Sequence, residues 1–409
     1  QIRSHWVINA YLLVLAALAA GAGKLGDVLG LRTLFSIGLL VFGLSSLIAG
    51  FADSGAWLIT ARAFQGVGAA IVFPGSMAMI TIVFPAEQRG MALGIYGAIG
   101  TVFLTAGPFV GGLFTELLSW RWIFWVNLPL VAAVATIVLL AWDDPKHDAS
   151  GAPFDYRGLA GLAGGLFMLV FAIMEGPDWG WTHPLISIAF VGGCLVLGWF
   201  AVAEYRSRAP LIEVDLFRNA SFTVSNLVVL TAQFTKMAVI VMGALYLQTV
   251  LDMNPLVAGI ALLVAVAPEP FTGAPTGRLT DRYGARRPVL VGLLATFIGL
   301  LWLGLFAGWE NYWLLVPGLV LWGIVQPAMF VPAMRGVMNA VPVAKQGQAS
   351  GIVLTAQLLG GTLGMAILGT VLATTQSYRL VFLATTALVG LVLLLAWFAV
   401  EGDASKDHA

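Results

Sequence analysis

The sequence predicts an all-α integral membrane protein built from two similar helical bundles, and three observations support this prediction. Of the 409 residues, 60% are hydrophobic and only 10% are charged, which is far too apolar for a soluble protein of this size. The hydrophobic residues collect in thirteen runs that reach or approach the roughly 20 residues needed to cross a bilayer. A charged turn occurs twice, once in each half of the chain, which indicates a duplicated architecture.

Each apolar run is predicted to be a helix. A bilayer offers the backbone no water to bond, and the runs lack the alternating polarity of a membrane β-barrel. In chain order the predicted helices are Trp6–Ala22, Leu34–Phe51, Trp57–Phe84, Met91–Leu118, Ile123–Trp142, Leu159–Met174, Leu185–Ala203, Phe222–Val250, Val257–Pro275, Val289–Ala307, Leu314–Val331, Ile352–Thr374 and Leu380–Val400.

The repeated turn is a specific internal signal. Both copies share the pattern glycine, base, leucine, aspartate, glycine and arginine, at Gly23, Lys24, Leu25, Asp27, Gly30 and Arg32 and again at Gly277, Arg278, Leu279, Asp281, Gly284 and Arg286. We expect the first glycine to let helices approach closely and the second to take a positive φ. We expect each aspartate to bond a helix N-terminus or an arginine across the bundle interface. Two interpretations stay open: a latch that closes one side of the protein, or a topological anchor with no switching role.

The distribution of basic residues predicts how the chain is oriented. If the first repeated turn is cytoplasmic and the sides alternate, fifteen Lys and Arg residues lie inside and only Arg3, Arg121 and Arg379 lie outside. This is the bias that the positive-inside rule describes. The sequence therefore predicts a multi-pass protein of the plasma membrane, such as a bacterial inner membrane, with both repeated turns and the C-terminus in the cytoplasm.

The composition gives no sign of enzymatic chemistry. The formal net charge is zero, so no nucleic-acid partner is implied, and Cys194 is the single cysteine. The sequence contains no cluster of His, Cys and Asp, no nucleophile arrangement and no phosphate-binding loop. We therefore predict that the protein is not an enzyme and that it holds no metal and no cofactor.

Few charged residues fall inside the predicted helices, and these are candidates for function. Arg62 is expected to face the bundle interior, with Gln65 on the same helix face; snorkelling toward the interface is the alternative. Glu269 is the only carboxylate well inside a run. Pro268 and Pro270 on either side should break its helix and expose backbone carbonyls, as where a site lines a cavity.

Lys236 lies near the middle of its run, and Asn226 and Gln233 share roughly one helix face with it. Helix rise puts Glu269 about 12 Å and Lys236 about 20 Å from the cytoplasmic ends of their helices. In ideal helices these two are too far apart for a direct pair, so water or the broken helix would have to bridge them. We interpret Glu269 as a proton or substrate carrier; a charge that faces an aqueous vestibule is the alternative.

The fourth run contains a glycine-rich segment, Gly100–Gly112. Gly107 and Gly111 form a small-x-x-x-small pair, which favours close helix packing, and Pro108 favours a bend. A bent, closely packed helix suits a gate; packing alone is the alternative, and both interpretations can hold.

Several of these segments resemble motifs of the major facilitator superfamily. Gly23–Arg32 looks like its signature turn, Arg62–Gly68 like its fourth-helix motif, and Gly100–Gly112 like the fifth-helix motif of drug:proton antiporters. Trp120–Pro129 is similar to the fourteen-helix group of these exporters. The resemblance covers the whole chain and implies the major facilitator fold, with two pseudo-symmetric bundles and two linking transmembrane helices.

The fourteen-helix pattern also implies a domain order. It places an N-terminal bundle at 1–142, cytoplasmic connectors with the linking helices Leu159–Met174 and Leu185–Ala203 at 143–220, and a six-helix C-terminal bundle with a short cytoplasmic tail at 221–409. Aligning the repeated turn makes the first run the family's second helix. The family's first helix, which carries an acidic motif implicated in proton coupling, is therefore expected to be missing from this sequence.

The resemblance implies a multidrug efflux transporter that exchanges hydrophobic or cationic small molecules for protons by alternating access. The alternatives are export of an endogenous metabolite, such as a lipid-like compound or a siderophore, and a membrane sensor or scaffold that does not transport. The expected partners are a small-molecule substrate and the lipid bilayer, and a periplasmic adaptor protein is left open. The proton is the expected coupling ion.

We assign candidate residues to three roles. Proton coupling is assigned to Arg62, Lys236 and Glu269. Gating is assigned to Gly23, Asp27, Gly30, Arg32, Gly107, Pro108, Gly277, Asp281, Gly284 and Arg286. The lining of a broad apolar substrate cavity is assigned to Gln65, Phe73, Met77, Asn226, Gln233, Trp322, Gln326, Phe330 and Gln357.

Overall fold

The computed structural model describes residues 6–143, 155–207 and 210–399, which form helices and short turns with no strand in these ranges. Twelve helices in the described residues are long and apolar enough to cross a membrane. A further helix of 29 residues, Arg89–Leu117, lies between the third and fourth of them. Residues 144–154, which hold most of one predicted connector, and the predicted tail at 400–409 lie outside the described residues.

The helices follow the predicted runs in order, and the all-helical membrane fold is confirmed. In chain order they are α1 (Trp6–Leu29), α2 (Leu31–Gly50), α3 (Gly55–Val83), α4 (Arg89–Leu117), α5 (Trp122–Trp125), α6 (Asn127–Ala141), α7 (Tyr156–Trp179), α8 (Pro184–Arg206), α9 (Ala220–Lys236), α10 (Gly243–Thr249), α11 (Pro255–Val266), α12 (Glu269–Tyr283), α13 (Arg286–Phe306), α14 (Tyr312–Asn339), α15 (Gln346–Thr375) and α16 (Tyr378–Ala399).

The repeated turns are much shorter than the sequence indicated. α1 continues through the first part of the motif to Leu29, and only Gly30, with a φ of 88°, separates it from α2. In the second copy α12 continues to Tyr283, and Gly284 has a φ of 75°. The positive φ predicted for both glycines is confirmed. The helices extend into the polar part of the motif because apolar run length marks only the hydrocarbon layer, whereas an intrahelical hydrogen bond also forms beyond it.

Contacts divide the chain into two compact units. The first unit contains the described residues up to Ile82, Leu104–Asp215 and Val341–Thr355, and the second contains Val83–Phe103, Leu216–Ala340 and the residues from Ala356. The linking helices α7 and α8 belong to the first unit, while α4 and α15 are each divided between the units. The sequence predicted three consecutive segments, with boundaries after residues 142 and 220. That division stays a prediction, because the two compact units group residues by contacts and not by their order in the chain.

Each unit has an apolar core that fixes the helices carrying the candidate residues. In the first unit α2, α3 and α6 meet around Phe35, Leu39 and Met79. In the second unit α9, α15 and α16 meet around Phe234 and Leu368. Such close packing transmits small displacements because it leaves few voids to absorb them.

Two interruptions in the second unit orient its charged residues. The α-helical hydrogen bonding is interrupted between α11 and α12 at Ala267 and Pro268, as the flanking prolines predicted, although both residues keep right-handed helical dihedrals, and Glu269 begins α12. Proline causes this because it has no amide hydrogen and clashes with the preceding turn. Directly after Lys236, α9 passes into a π-helix, Met237–Met242, which changes the helical phase of the residues around it.

Candidate functional site

Lys236 and Glu269 form a buried ion pair in the second unit. Lys236 Nζ lies 2.9 Å from Glu269 Oε2, and the two side chains are 15% and 4% exposed. The expectation that these residues are too far apart for a direct pair is wrong. It assumed straight, ideal helices, whereas the break before Glu269 and the π-helix after Lys236 let the two side chains meet.

Glu269 has a second partner, and one of its oxygens is open. Thr101 Oγ1, in the part of α4 that belongs to the second unit, lies 3.2 Å from Glu269 Oε2 and 3.1 Å from the Gly97 carbonyl of its own helix, so its one hydroxyl hydrogen is shared between these two acceptors. Glu269 Oε1 is buried and has no hydrogen-bond partner among the described residues. An open lone pair on a buried carboxylate can take a proton or a cationic group. Thr101 was given no role from the sequence, although its position in Gly100–Gly112 was the available signal.

Asp281, in the second copy of the repeated turn, holds the N-terminus of α4. Its Oδ1 accepts a hydrogen bond from the Gly90 backbone N–H and its Oδ2 one from the Met91 N–H, both at 2.8 Å. Arg335 Nε lies 3.1 Å from the same Oδ1, and both side chains of this ion pair are buried. The helix crossing is close, since a Cβ on Gly277 would overlap the Gly90 carbonyl. The close approach predicted at Gly277 and the bonds predicted for Asp281 are present within the second unit, whereas a position across the bundle interface and the gating role stay predictions.

Asp27, in the first copy, holds the N-terminus of α15 in the same way within the first unit. Its Oδ1 accepts from the Gly347 N–H at 2.8 Å and its Oδ2 from the Gln348 N–H at 2.7 Å. A Cβ on Gly23 would overlap the Gly347 carbonyl. We call these two arrangements the α4 clamp and the α15 clamp. Each places a carboxylate on the positive end of a helix dipole, where negative charge is stabilised.

The two clamped helix starts are themselves a repeat that the sequence analysis missed. Pro85–Gly94 and Pro342–Gly351 share proline, glycine, alanine and glycine at the same offsets. The shared glycines are the ones that the clamps require, because Gly90 and Gly347 donate to the aspartates and lie against the partner helix. Only four of the ten positions are identical and none of the four is charged, so the sequence match is a weak signal without the contacts.

The arginines that end the repeated turns have matching roles. Arg32 Nη2 donates to the Leu139 carbonyl at the end of α6, and Arg32 Nη1 lies 3.8 Å from Asp143. Arg286 Nη2 donates to the Trp397 carbonyl near the end of α16 at 3.0 Å. A cation at a helix C-terminus complements the dipole and the open carbonyls there. Both arginines therefore fasten a helix end, and their assignment to gating stays a prediction.

Arg62 faces the interior of the first unit, as predicted. Its Nε donates to the Val7 carbonyl at 2.9 Å, its Nη1 donates to Gln65 Oε1, and its guanidinium lies 4.2 Å from the centre of the Tyr11 ring. Gln65 is buried and donates to Ser46 Oγ at 2.7 Å. Arg62 thus ties α1 and α3 together by a polar chain, and Gln65 is a member of that chain.

Most residues assigned to a substrate cavity pack inside their unit. Trp322 is fully buried and donates to Thr235 Oγ1 at 3.3 Å, and Gln326 donates to the Ala232 carbonyl at 3.4 Å. Asn226 is buried and donates to the Phe222 carbonyl at 3.0 Å. Of the other assigned residues, Met77 is buried, Phe73 is exposed, and three are half-buried: Gln233, Phe330 and Gln357. Their role in binding substrate stays a prediction.

The close packing predicted at Gly107 is not present in the described residues. No described atom lies within 4 Å of a Cβ built on Gly107, and the nearest contact at Gly111 is the Ile123 side chain at 3.8 Å. The small-x-x-x-small pattern therefore has no tight partner helix here. The backbone of α4 is helical through Pro108, and the bend predicted there stays a prediction.

Two further carboxylates are buried in the last turns of their helices, just beyond the predicted apolar runs. Glu175 in α7 is 1% exposed, and Asn9 Nδ2 donates to its Oε1 at 3.2 Å. Glu204, in the last turns of α8, is 2% exposed. Both were missed because the apolar runs seemed to end before them, whereas α7 and α8 continue for several residues.

Comparison with known proteins agrees with this fold. The sequence profile of the Major Facilitator Superfamily matches residues 3–203 and 224–409. The multidrug resistance protein Stp of Mycobacterium tuberculosis is 34% identical over 373 residues, which is 90% of this chain and 68% of Stp. The puromycin resistance protein pur8 of Streptomyces alboniger is also 34% identical, over 90% of this chain and 74% of pur8.

A solved structure gives the same result at the level of the fold. The human organic anion transporter MFSD10 has a TM-score of 0.69 and 18% identity, over 96% of this chain and 83% of MFSD10. The repeated turns, the duplicated helix starts and the match along nearly the whole length lead to one conclusion: this chain belongs to the Major Facilitator Superfamily.

Proposed function

We propose that this chain is a multidrug efflux transporter that exports hydrophobic or cationic small molecules in exchange for protons, by alternating access. The observation that carries the proposal is the buried ion pair of Lys236 and Glu269 with the additional bond from Thr101. Family membership and relatives named for multidrug and puromycin resistance support the class of substrate. No enzymatic activity is proposed.

Glu269 is the proposed proton carrier. A proton that binds the carboxylate makes it neutral and removes its attraction for the Lys236 ammonium. The buried ammonium then costs free energy until it gains water or gives up its own proton. A cationic drug can approach the same carboxylate, so proton and drug compete for one anion. Such competition links the two binding events, as exchange requires.

α4 connects this carboxylate to a clamp. Thr101 bonds Glu269, and Gly90 and Met91 at the start of the same helix bond Asp281. Gly90 and Thr101 are separated by roughly 17 Å of helix at 1.5 Å per residue. A change at Glu269 that releases Thr101 therefore acts on the element that Asp281 holds, and release of the clamp is the proposed gating step.

The first unit contains a second proposed gate and a second proposed coupling residue. Asp27 and the start of α15 form the second proposed gate, and Arg32 and Arg286 steady the helices beside the gates. Arg62 is the proposed cation of the first unit that takes part in coupling. Its bond to the Val7 carbonyl lets it hold α1 against α3.

The proposed location is the plasma membrane, with the repeated turns and the C-terminus in the cytoplasm. Its apolar helices make this a multi-pass membrane protein, and bacterial relatives support a bacterial inner membrane. The proton is the proposed coupling ion, and no bound cofactor is proposed. Co-purification from membranes would test for a periplasmic adaptor.

Uptake of a fluorescent organic cation such as ethidium into everted membrane vesicles tests the function. An acid-inside pH gradient should drive uptake, and an ionophore that collapses the gradient should stop it. Unchanged uptake after collapse would remove proton coupling from the proposal. Uptake of a siderophore or lipid-like compound in place of drugs would favour the metabolite exporter, and binding without flux would favour the sensor.

A further inference from the structure

The start of α15 is held by more than its clamp. A connector at residues 210–215, which follows the linking helix α8, lies against it in the first unit. Gln348 Nε2 donates to the Leu211 carbonyl at 3.0 Å, and Lys345 Nζ lies 2.6 Å from Glu213 Oε2. Gln348 therefore links the α15 clamp to the connector, because its backbone N–H donates to Asp27 and its side chain donates to the Leu211 carbonyl.

The connector is itself anchored to α8. The Ile212 backbone N–H donates to Glu204 Oε2 at 3.1 Å, and Glu204 and Leu211 are both buried. An ionisable side chain buried at a helix end is costly unless it is bonded, so this contact is a specific attachment. The chain of contacts runs from α8 through Glu204 and the connector to Gln348 and the α15 clamp.

The internal repeat allows the start of α15 to be compared with the start of α4. The proline, glycines and alanine of the helix start are shared by Pro85–Gly94 and Pro342–Gly351, and so is the aspartate clamp. The residues that reach the connector are not shared: Gln88 stands where the second copy has Lys345, and Met91 where it has Gln348. Six of the ten positions differ between the copies, and two of the six are the positions whose second-copy residues contact the connector, so this contact is not part of what the copies share.

We infer that Gln348, Lys345 and Glu213 are positioning residues for transport, through which the two linking helices set how readily the α15 clamp releases. This inference rests on the proposed function, since it assigns the connector to a gate of that cycle. It gives α7 and α8 a task beyond joining the two halves of the chain. In the state described, the connector holds the start of α15; during transport this contact has to open.

Reversible cross-linking tests whether the contact opens. Glu213→Cys and Lys345→Cys are introduced together, with Cys194→Ser to remove the native thiol. A short bifunctional thiosulfonate reagent should abolish ethidium uptake in everted vesicles while binding persists, and a reductant should restore uptake. Each single-cysteine variant, treated in the same way, is the control. Uptake at the full rate in the cross-linked protein would overturn the inference, whereas absence of uptake in the Cys194→Ser protein that keeps Glu213 and Lys345 would count against the proposed function itself.

A labelling experiment is independent of transport. Ser350→Cys puts a reporter thiol at a fully buried position just past the clamp. Adding Gln348→Met removes the bond to the connector but keeps the backbone N–H that bonds Asp27. The labelling rate should rise about fivefold, the population change expected from losing one hydrogen bond. Met91→Gln, the reverse exchange in the other copy, should leave the rate unchanged. Equal rates with and without Gln348→Met would refute the positioning role.

Discussion

At the scale of single residues, the proposed proton coupling depends most on the Glu269 carboxylate. It combines a cation at 2.9 Å, a hydroxyl at 3.2 Å and one buried oxygen without a partner among the described residues. Buried ion pairs often add little net stability, because desolvation offsets their attraction. An arrangement that contributes little to folding but holds an exchangeable charge inside a membrane protein is better explained by function.

Glu269→Gln should reduce gradient-driven ethidium uptake at least about tenfold, because the amide cannot take up and release a proton. The variant also leaves Lys236 unpaired, and removing one partner of a buried pair costs about 3–5 kcal/mol. Glu269→Gln with Lys236→Met should therefore recover thermal stability but not uptake.

Glu175→Gln is the matched control, since Glu175 is equally buried and a glutamine oxygen can still accept the hydrogen bond from Asn9. It should keep normal uptake. Wild-type uptake in Glu269→Gln would clear Glu269 of the coupling role.

At the scale of elements, the two clamps are the same device built from distant parts of the chain. Asp281 and Gly90 are 191 residues apart, and Asp27 and Gly347 are 320 apart. Each clamp joins a carboxylate to two backbone N–H groups at a helix start, and each needs glycines for the close crossing. They differ in their neighbours: Arg335 pairs with Asp281, whereas the connector reaches the start of α15.

Asp281→Asn should lower the turnover number by about tenfold with little change in substrate affinity, since one hydrogen bond to a charged group is worth about 1.5–3 kcal/mol. Asparagine can accept only one of the two N–H bonds through its oxygen, and it leaves the buried Arg335 without its anion. Asp27→Asn should act in the same direction. Initial rates across substrate concentrations separate the two parameters, and unaltered turnover in both variants would reject the gates.

At the scale of the whole molecule, the proposed gating requires a particular orientation of the two repeated turns in the membrane. Two copies of one turn can serve as equivalent gates only if both lie on the same side of the membrane. Each copy ends an apolar helix, α1 in the first unit and α12 in the second. The Lys and Arg distribution predicts the cytoplasmic side for both.

Cysteines at the exposed residues Leu29 and Tyr283, in the Cys194→Ser background, test this orientation. A membrane-impermeant maleimide should label both in everted vesicles and neither in intact cells. Thr375→Cys, at the last residue of α15 and directly before the short connection to α16, should show the opposite pattern. Labelling of Leu29→Cys and Tyr283→Cys from opposite sides would contradict the duplicated architecture.

What the sequence determined by itself is local. The apolar runs predicted the helices, the prolines around Glu269 predicted the break before α12, and Gly30 and Gly284 predicted the positive φ. These features depend on side-chain polarity and backbone sterics within a few residues, so no knowledge of neighbouring helices is needed.

The tertiary structure alone decided which groups meet. The pairing of Lys236 with Glu269, the helix start that each aspartate holds and the docking of the connector on Gln348 all join segments far apart in the chain. Ideal helix geometry could not predict these pairs, because it describes positions along one helix and not which other helix lies beside it. The physical reason is that packing, and not propensity, selects partners between helices that are all apolar.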